Sequence, residues 1–328
     1  MTSDRARPLV EGALLAALTV VLSLITAYIP VVQLLSAVAV PAPTVVLTVR
    51  RGTRVALLSS VTAGLILLAV TGPVGAVLGW LHVAGIGLPL GLGIRRRWPA
   101  GVTLAVTTGS FLVLALVGIA AALLLSGINP VETAIDTYRT AGPAAYAVYD
   151  RLGLVPDDPA MRDAFVKSWN AAVDLARTLL PVGLLLGYAG YSLLNYSLNR
   201  AVLARLGHHD IPTLPPFARW QAPGWLTYVF AALVGASLLR GELAWQAGSA
   251  VLSNLFAGFM IIFSIVGAAA AYAFLRSWRL GRGVAVAVLV LLFLSQFSVV
   301  LAWLGMLDGV LRLRQRFIRP DGGEEQAT

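Results

Sequence analysis

Apolar runs of about 20 residues, the length that spans a hydrocarbon core as a helix, follow one another along most of this chain, with arginines gathered between them. In lipid every backbone N–H and C=O must pair within the protein, so such runs fold as helices packed into a bundle. A large soluble core would need long charged stretches between its helices. Here 58% of residues are hydrophobic and 12% are charged, and the charges sit in short clusters. The sequence therefore predicts an all-α, polytopic membrane protein. Apolar segments fall at 9–29, 34–49, 54–72, 74–94, 101–126, 171–198, 223–240, 248–275 and 283–304. That makes nine spans, or eight if the short second segment does not cross. The first run lacks the small-residue exit of a cleaved secretory signal and is expected to stay as a helix.

Arginine and lysine collect on the cytoplasmic side of a membrane protein. Arg5 and Arg7, then Arg50, Arg51 and Arg54, then Arg95 to Arg97, then Arg200, Arg205 and Arg219, then Arg276, Arg279 and Arg282 fall at every second turn of the nine-span count. This places the N-terminus inside, on the cytoplasmic face of the membrane. The connection from Gly127 to Asn170 then lies outside, rich in Glu132, Asp136, Asp150, Asp157, Asp158 and Asp163. It opens with Asn129 and Pro130, a helix cap and first helical position, and reads as one or two short helices. The end breaks the pattern, because Arg312, Arg314, Arg316 and Arg319 would stand outside. Four regions result: a membrane bundle over 1–126, an extracytoplasmic helical segment over 127–170, a second bundle over 171–318 and a disordered polar tail over 319–328.

Several activities are excluded or unsupported. Cysteine is absent, which removes disulfides and thiol chemistry. The only lysine, Lys167, follows Val166, so no Walker A loop is available for ATP. His82, His208 and His209 form no His-Glu-x-x-His site, and no Gly-x-Ser-x-Gly elbow occurs. The His208–His209 pair with Asp210 would hold a metal only with further ligands. The expectation is no catalytic residues, no metal, no cofactor and no enzyme activity. Membrane orientation accounts for the basic loops, so nucleic acid is not an expected partner.

The second segment, "VAVPAPTVVLTVRR", breaks a bilayer-compatible run with Pro41 and Pro43. Each proline removes a backbone donor, and irregular backbone survives in a membrane only inside protein or beside a polar cavity. Either the break is a packing kink, or it opens a solute pocket of the kind transporters build from broken helices. The pocket reading gathers Pro41, Pro43, Thr44, Trp80 and His82 as solute-binding candidates. His82 is an imidazole in mid-span, able to bond a solute or a neighbouring carbonyl. Gly75 with Gly79, and Gly87 with Gly91, allow close helix approach. Glu11 reads as interfacial. Asp308 and Arg312 stand four residues apart and are expected to pair on one helical face. Asn195, Asn254, Gln246 and Gln296 are expected to bridge helices.

These features carry a resemblance. The helix with Ala13-x-x-x-Ala17, the Pro-rich second segment, the turn "RRGTR" and a Gly-Pro-x-Gly turn, Gly72 to Gly75, into a glycine-rich helix resemble the S components of energy-coupling factor transporters over roughly 9–126. The whole chain, closing with Gly305-Met-Leu-Asp308 and then Arg312-x-Arg314, is similar to the YybS family of bacterial membrane proteins. The S component resemblance implies a small solute, often a vitamin, and partnership with a T component and its ATPase subunits, with Ala13 and Ala17 as the docking face. It also implies fewer helices than this chain carries. The YybS resemblance implies instead a structural or regulatory scaffold for another membrane protein or for membrane lipid, near cyclic-dinucleotide signalling.

Overall fold

The computed structural model describes residues 3–156, 158–238, 246–278, 280–295 and 298–314. Among them every regular element is helical: α1 (Ser3–Tyr28), α2 (Gln33–Ala39), α3 (Ala42–Arg51), α4 (Thr53–His82), a π turn (Val83–Gly87), α5 (Leu88–Arg95), α6 (Ala100–Ser126), α7 (Pro130–Arg151), α8 (Pro159–Thr178), α9 (Leu180–Arg205), α10 (Gly224–Leu238), α11 (Gln246–Ser277), α12 (Arg282–Leu294) and α13 (Ser298–Leu311), with short 3-10 turns at Pro30–Val32 and Phe217–Arg219. Four stretches, Pro8–Tyr28, Thr53–Pro73, Ala100–Leu124 and Ala250–Ser277, are long and apolar enough to cross a bilayer. The number rises to six if the bent pairs α8 with α9 and α12 with α13 each count as one span. The all-α membrane architecture is as the sequence predicts, while several of the nine apolar segments are divided into shorter helices. The expected tail over 319–328, with Arg279, Arg316, Arg319, Asp157, Gln296 and the side chain of Gln246, lies outside the described residues.

The described chain forms two compact units. One takes its described residues from 1–174 and 184–214, the other from 175–183 and 215–314. In the first, α4 is interrupted at Gly72, whose φ of 74° and ψ of −179° no L-residue adopts readily. A Cβ on Gly64 would lie 3.2 Å from the Trp80 ring, and one on Gly79 would lie 2.8 Å from Leu67. In a straight helix residues 64 and 80 stand about 24 Å apart. The two halves are therefore antiparallel, turned at Thr71-Gly72-Pro73. Ala16 and Val20 of α1 share a buried cluster with Ala63, Leu67 and Ala76 of this hairpin.

Charges at the helix ends have partners. Glu11 of α1 meets Arg50 at 3.0 Å and Arg51 at 2.6 Å at the end of α3. Arg95 donates to the carbonyls of Thr48 at 3.0 Å and Val49 at 3.3 Å, where α3 runs out of internal donors. Beyond α6, Asn129 accepts from the N–H groups of Val131 and Glu132 and starts α7 as its cap. The connection is two helices, each of at least 20 residues, longer than expected. They meet where the Trp169 ring covers Gly142 and its Nε1 donates to the Tyr138 carbonyl at 2.7 Å. Asp174, by hydrogen bond first and by charge second, holds the Arg139 guanidinium above the ordinary arginine range.

In the second unit α11 and α13 pack backbone to backbone. A Cβ on Gly267 would fall 1.7 Å from the Leu301 carbonyl oxygen, and one on Gly305 2.2 Å from that of Phe263. Only glycine fits either position. Asn254 of α11 inserts its amide between two groups that would otherwise bond within one helix. Its Oδ1 accepts from Val182 N at 3.2 Å and its Nδ2 donates to Thr178 O at 2.7 Å. Insertion into the i to i−4 ladder bends helices, and α8 and α9 meet here at 71°.

Candidate functional site

The break between α2 and α3 begins with a missing donor. Pro41 has no N–H, so the Ala37 carbonyl four residues earlier loses its helical partner. The Tyr191 hydroxyl of α9 supplies one, donating to Ala37 O at 2.6 Å. Helical bonding resumes at once on the far side, with Val45 N donating to Pro41 O at 3.0 Å. Pro43 and Thr44 sit buried in the first turns of α3.

Opposite this break runs the π turn, with all five of its residues buried. A Cβ on Gly87 would come within 2.9 Å of Thr44 and 3.2 Å of the Pro41 carbonyl oxygen, and one on Gly91 within 2.6 Å of Thr48. Gly85 and Gly93 face Phe111 and Thr103 of α6 at similar range. Small residues at these positions let three helices close to backbone distance.

His82 ends α4 immediately before the π turn. Its ring stands edge-on to Phe111, centroids 5.5 Å apart, and to Tyr191, centroids 5.8 Å apart. Phe111 lies 4.4 Å from the Tyr188 ring. The structure thus brings together His82, Pro41 and Thr44 through Tyr191 and Gly87. Trp80, two residues from His82, is about 200° around the helix and covers Gly64 instead of joining the set. The aromatic partners Phe111, Tyr188 and Tyr191 were not among the sequence candidates. The signal for the two tyrosines was present in "YAGYSLLNYSLN", residues 188–199, where Tyr and Asn recur at three- and four-residue spacing within an apolar run.

Ala13 and Ala17 project from the exposed face of α1, while Gly12 and Ala16 turn inward. Asn195 bonds within its own helix, its Nδ2 donating to Tyr191 O at 3.1 Å. Asn254 does bridge helices, as described above. Asp210 engages Arg97 at 2.9 Å. Among the described residues no three His, Asp or Glu side chains come together as a metal site.

Asp308 has a different partner from the one its spacing suggested. Arg312 takes a left-handed backbone, φ 51°, at the end of α13. This turns the chain back so that Arg314, not Arg312, meets the carboxylate. Arg314 Nε and Nη2 donate to Asp308 Oδ2 at 2.9 and 2.6 Å, and its backbone N donates to Oδ1 at 3.1 Å. The guanidinium also donates to the carbonyls of Ala218 and Trp220. The two side chains are 0% and 7% exposed, so the pair is a buried and fully bonded lock within the second unit.

The chain has a relative over most of its length. "Uncharacterized protein YybS" of Bacillus subtilis (strain 168) is 24% identical to it over 317 residues, covering 94% of this chain and 98% of the relative. No solved structure matches. The family described as "Predicted membrane protein (DUF2232)" matches residues 17–309, and the chain, a membrane protein with several apolar helices, belongs to that family.

Proposed function

We propose that the protein binds a small solute and takes part in its transport, as a non-enzymatic, multi-pass protein of the bacterial cytoplasmic membrane with its N-terminus in the cytoplasm. The observation that carries this reading is the meeting of His82, Phe111 and Tyr191 at a π turn facing a proline-broken helix. π turns interrupt regular bonding where a helix is put to use, and pockets combine aromatic walls with a few polar groups. Here the imidazole is the polar group and the rings are the wall. The test is mass spectrometry of the gently purified chain. A small molecule that co-purifies with wild type and is lost in His82→Ala supports the proposal, whereas its retention in His82→Ala contradicts this location.

The outward placement of Ala13 and Ala17 suits the docking of a T component with its ATPase subunits. Co-purification with those subunits, lost in Ala13→Trp and Ala17→Trp, is the expected result.

A second reading has its own support. Because Tyr191 already satisfies the carbonyl that Pro41 frees, the break functions as a packing joint in a scaffold for another membrane protein or lipid, including one in cyclic-dinucleotide signalling. Under it, Tyr191→Phe and His82→Ala change stability and alter no flux.

A further inference from the structure

The helices α7 and α8 form an antiparallel hairpin. Arg139 pairs with Asp174, Gly142 lies beneath the Trp169 ring and the Tyr146 ring stands 5.4 Å from that of Phe165, so the numbers rise along one helix as they fall along the other. Ile135, Gly142 and Tyr146 of α7 and Val173 of α8 form its buried seam. Beside that seam α7 carries Ala134, Tyr138, Ala141, Ala145, Val148 and Leu152, at steps of four and three residues that keep them in one stripe. Tyr138 is 63%, Val148 53% and Leu152 64% exposed. On α8, Met161, Ala164, Ser168 and Ala171 repeat the pattern, with Met161 also exposed. No charged residue interrupts either stripe.

Both stripes lie on the same side of the hairpin. Ala141 directly precedes Gly142 and Ala145 precedes Tyr146, as Ala164 precedes Phe165 and Ser168 precedes Trp169. One residue is about 100° of helical turn, and in two antiparallel helices the same turn away from a shared seam leads to the same face. The charges gather on the opposite face, where Asp136, Asp163 and Lys167 are exposed and Asp174 reaches across to Arg139. Both ends of the hairpin are tied to apolar helices. α7 follows the crossing helix α6 after a link of only 127–129, and α8 runs into α9 through Leu179 with a bend of 71°. Over its length of about 30 Å, α8 therefore advances only about 10 Å along the axis of α9. A hairpin held across the direction of its neighbouring helices, apolar on one face and charged on the other, is built to lie at the boundary between headgroups and acyl chains. The exposed Tyr138 suits that level, with an apolar ring and a polar tip.

We propose that the face of the α7–α8 hairpin bearing Tyr138, Val148 and Ala164 is a lipid-docking surface, seated in the headgroup layer of the membrane that the chain crosses. Neither stripe contains a basic residue, so zwitterionic lipid suffices and anionic lipid is not required. The inference rests on the membrane character of the chain and not on the solute reading. The experiment uses the full chain in phosphatidylcholine nanodiscs, with bimane attached to one introduced cysteine at a time, the chain having none of its own. At Tyr138→Cys and Ala164→Cys, on the apolar face, the expected result is loss of emission with nitroxide-bearing lipid and no loss with aqueous iodide. At Thr140→Cys and Asp163→Cys, on the charged face, the reverse is expected. Each face is read at two exposed positions, one on each helix, so the test survives if one variant fails to fold. Loss of emission to iodide at all four positions overturns the docking, because the face then stands in water. Shielding of Tyr138→Cys and Ala164→Cys from both quenchers overturns lipid as the occupant and gives the face to protein, a second copy of the chain included. Neither outcome depends on whether a solute is found at His82.

Discussion

The Tyr191 hydroxyl does for α2 what the missing N–H of Pro41 cannot. Removing it in Tyr191→Phe leaves the half-buried Ala37 carbonyl without that donor, at a cost of about 1 kcal/mol. A lowered thermal midpoint with unchanged helix content in circular dichroism is the expected outcome. Asp308 and Arg314 give a sharper case. Arg314→Met strands a carboxylate that is 0% exposed, and breaking a buried pair from one side costs about 3–5 kcal/mol. The double variant Asp308→Leu with Arg314→Met recovers much of that loss, because no charge remains buried. A double variant as unstable as the single one would contradict the account. The pairing itself was half legible in the sequence. Asp308 and a nearby arginine were evident, but helical spacing selected Arg312, and only the left-handed backbone at Arg312 hands the contact to Arg314.

Proline and glycine decide where elements begin and end, and this layer of the fold was largely readable. Pro41 and Pro43 divide 34–49 into α2 and α3, and Gly72-Pro73 turns α4 into the hairpin that the separate segments 54–72 and 74–94 had implied. Gly87 and Gly91 make the close crossing their spacing suggested, against Thr44 and Thr48. What the sequence did not display was the bend between α8 and α9, because its cause is remote: Asn254 takes both Val182 N and Thr178 O. Asn254→Leu should let that hydrogen bond re-form within the helix and reduce the bend, read as a longer distance between spin labels on α8 and α9; an unchanged distance would place the cause elsewhere. The crossing of α11 and α13 admits no side chain at Gly267 or Gly305. Gly305→Val is expected to abolish folding of the second unit, seen as loss of monodisperse protein, whereas Gly281→Ala, in open space, is expected to leave it intact.

For the molecule as a whole, membrane character was evident from composition and from the spacing of arginines, since both follow from the cost of charge in hydrocarbon. The arginines also proved to be structural. Arg50 and Arg51 hold Glu11, Arg95 closes α3, and Arg314 is neutralised by Asp308, so the basic cluster after α13 overstates the charge free to set orientation. The candidate site was legible only in part. His82, Pro41 and Thr44 stood out because prolines and imidazoles interrupt an apolar span, while Phe111 and Tyr191 look like ordinary core aromatics until the fold brings them to His82. The absence of cysteine makes orientation directly measurable: a single cysteine at Thr140 should react with an impermeant maleimide on whole cells, and one at Arg96 only after lysis. The most direct test of the central claim, that the first unit binds a solute beside His82 and Tyr191, is native mass spectrometry of wild type beside His82→Ala. The account predicts a bound small molecule in wild type that is missing from the variant. Wild-type protein carrying none, purified from several mild detergents in folded form, would contradict it.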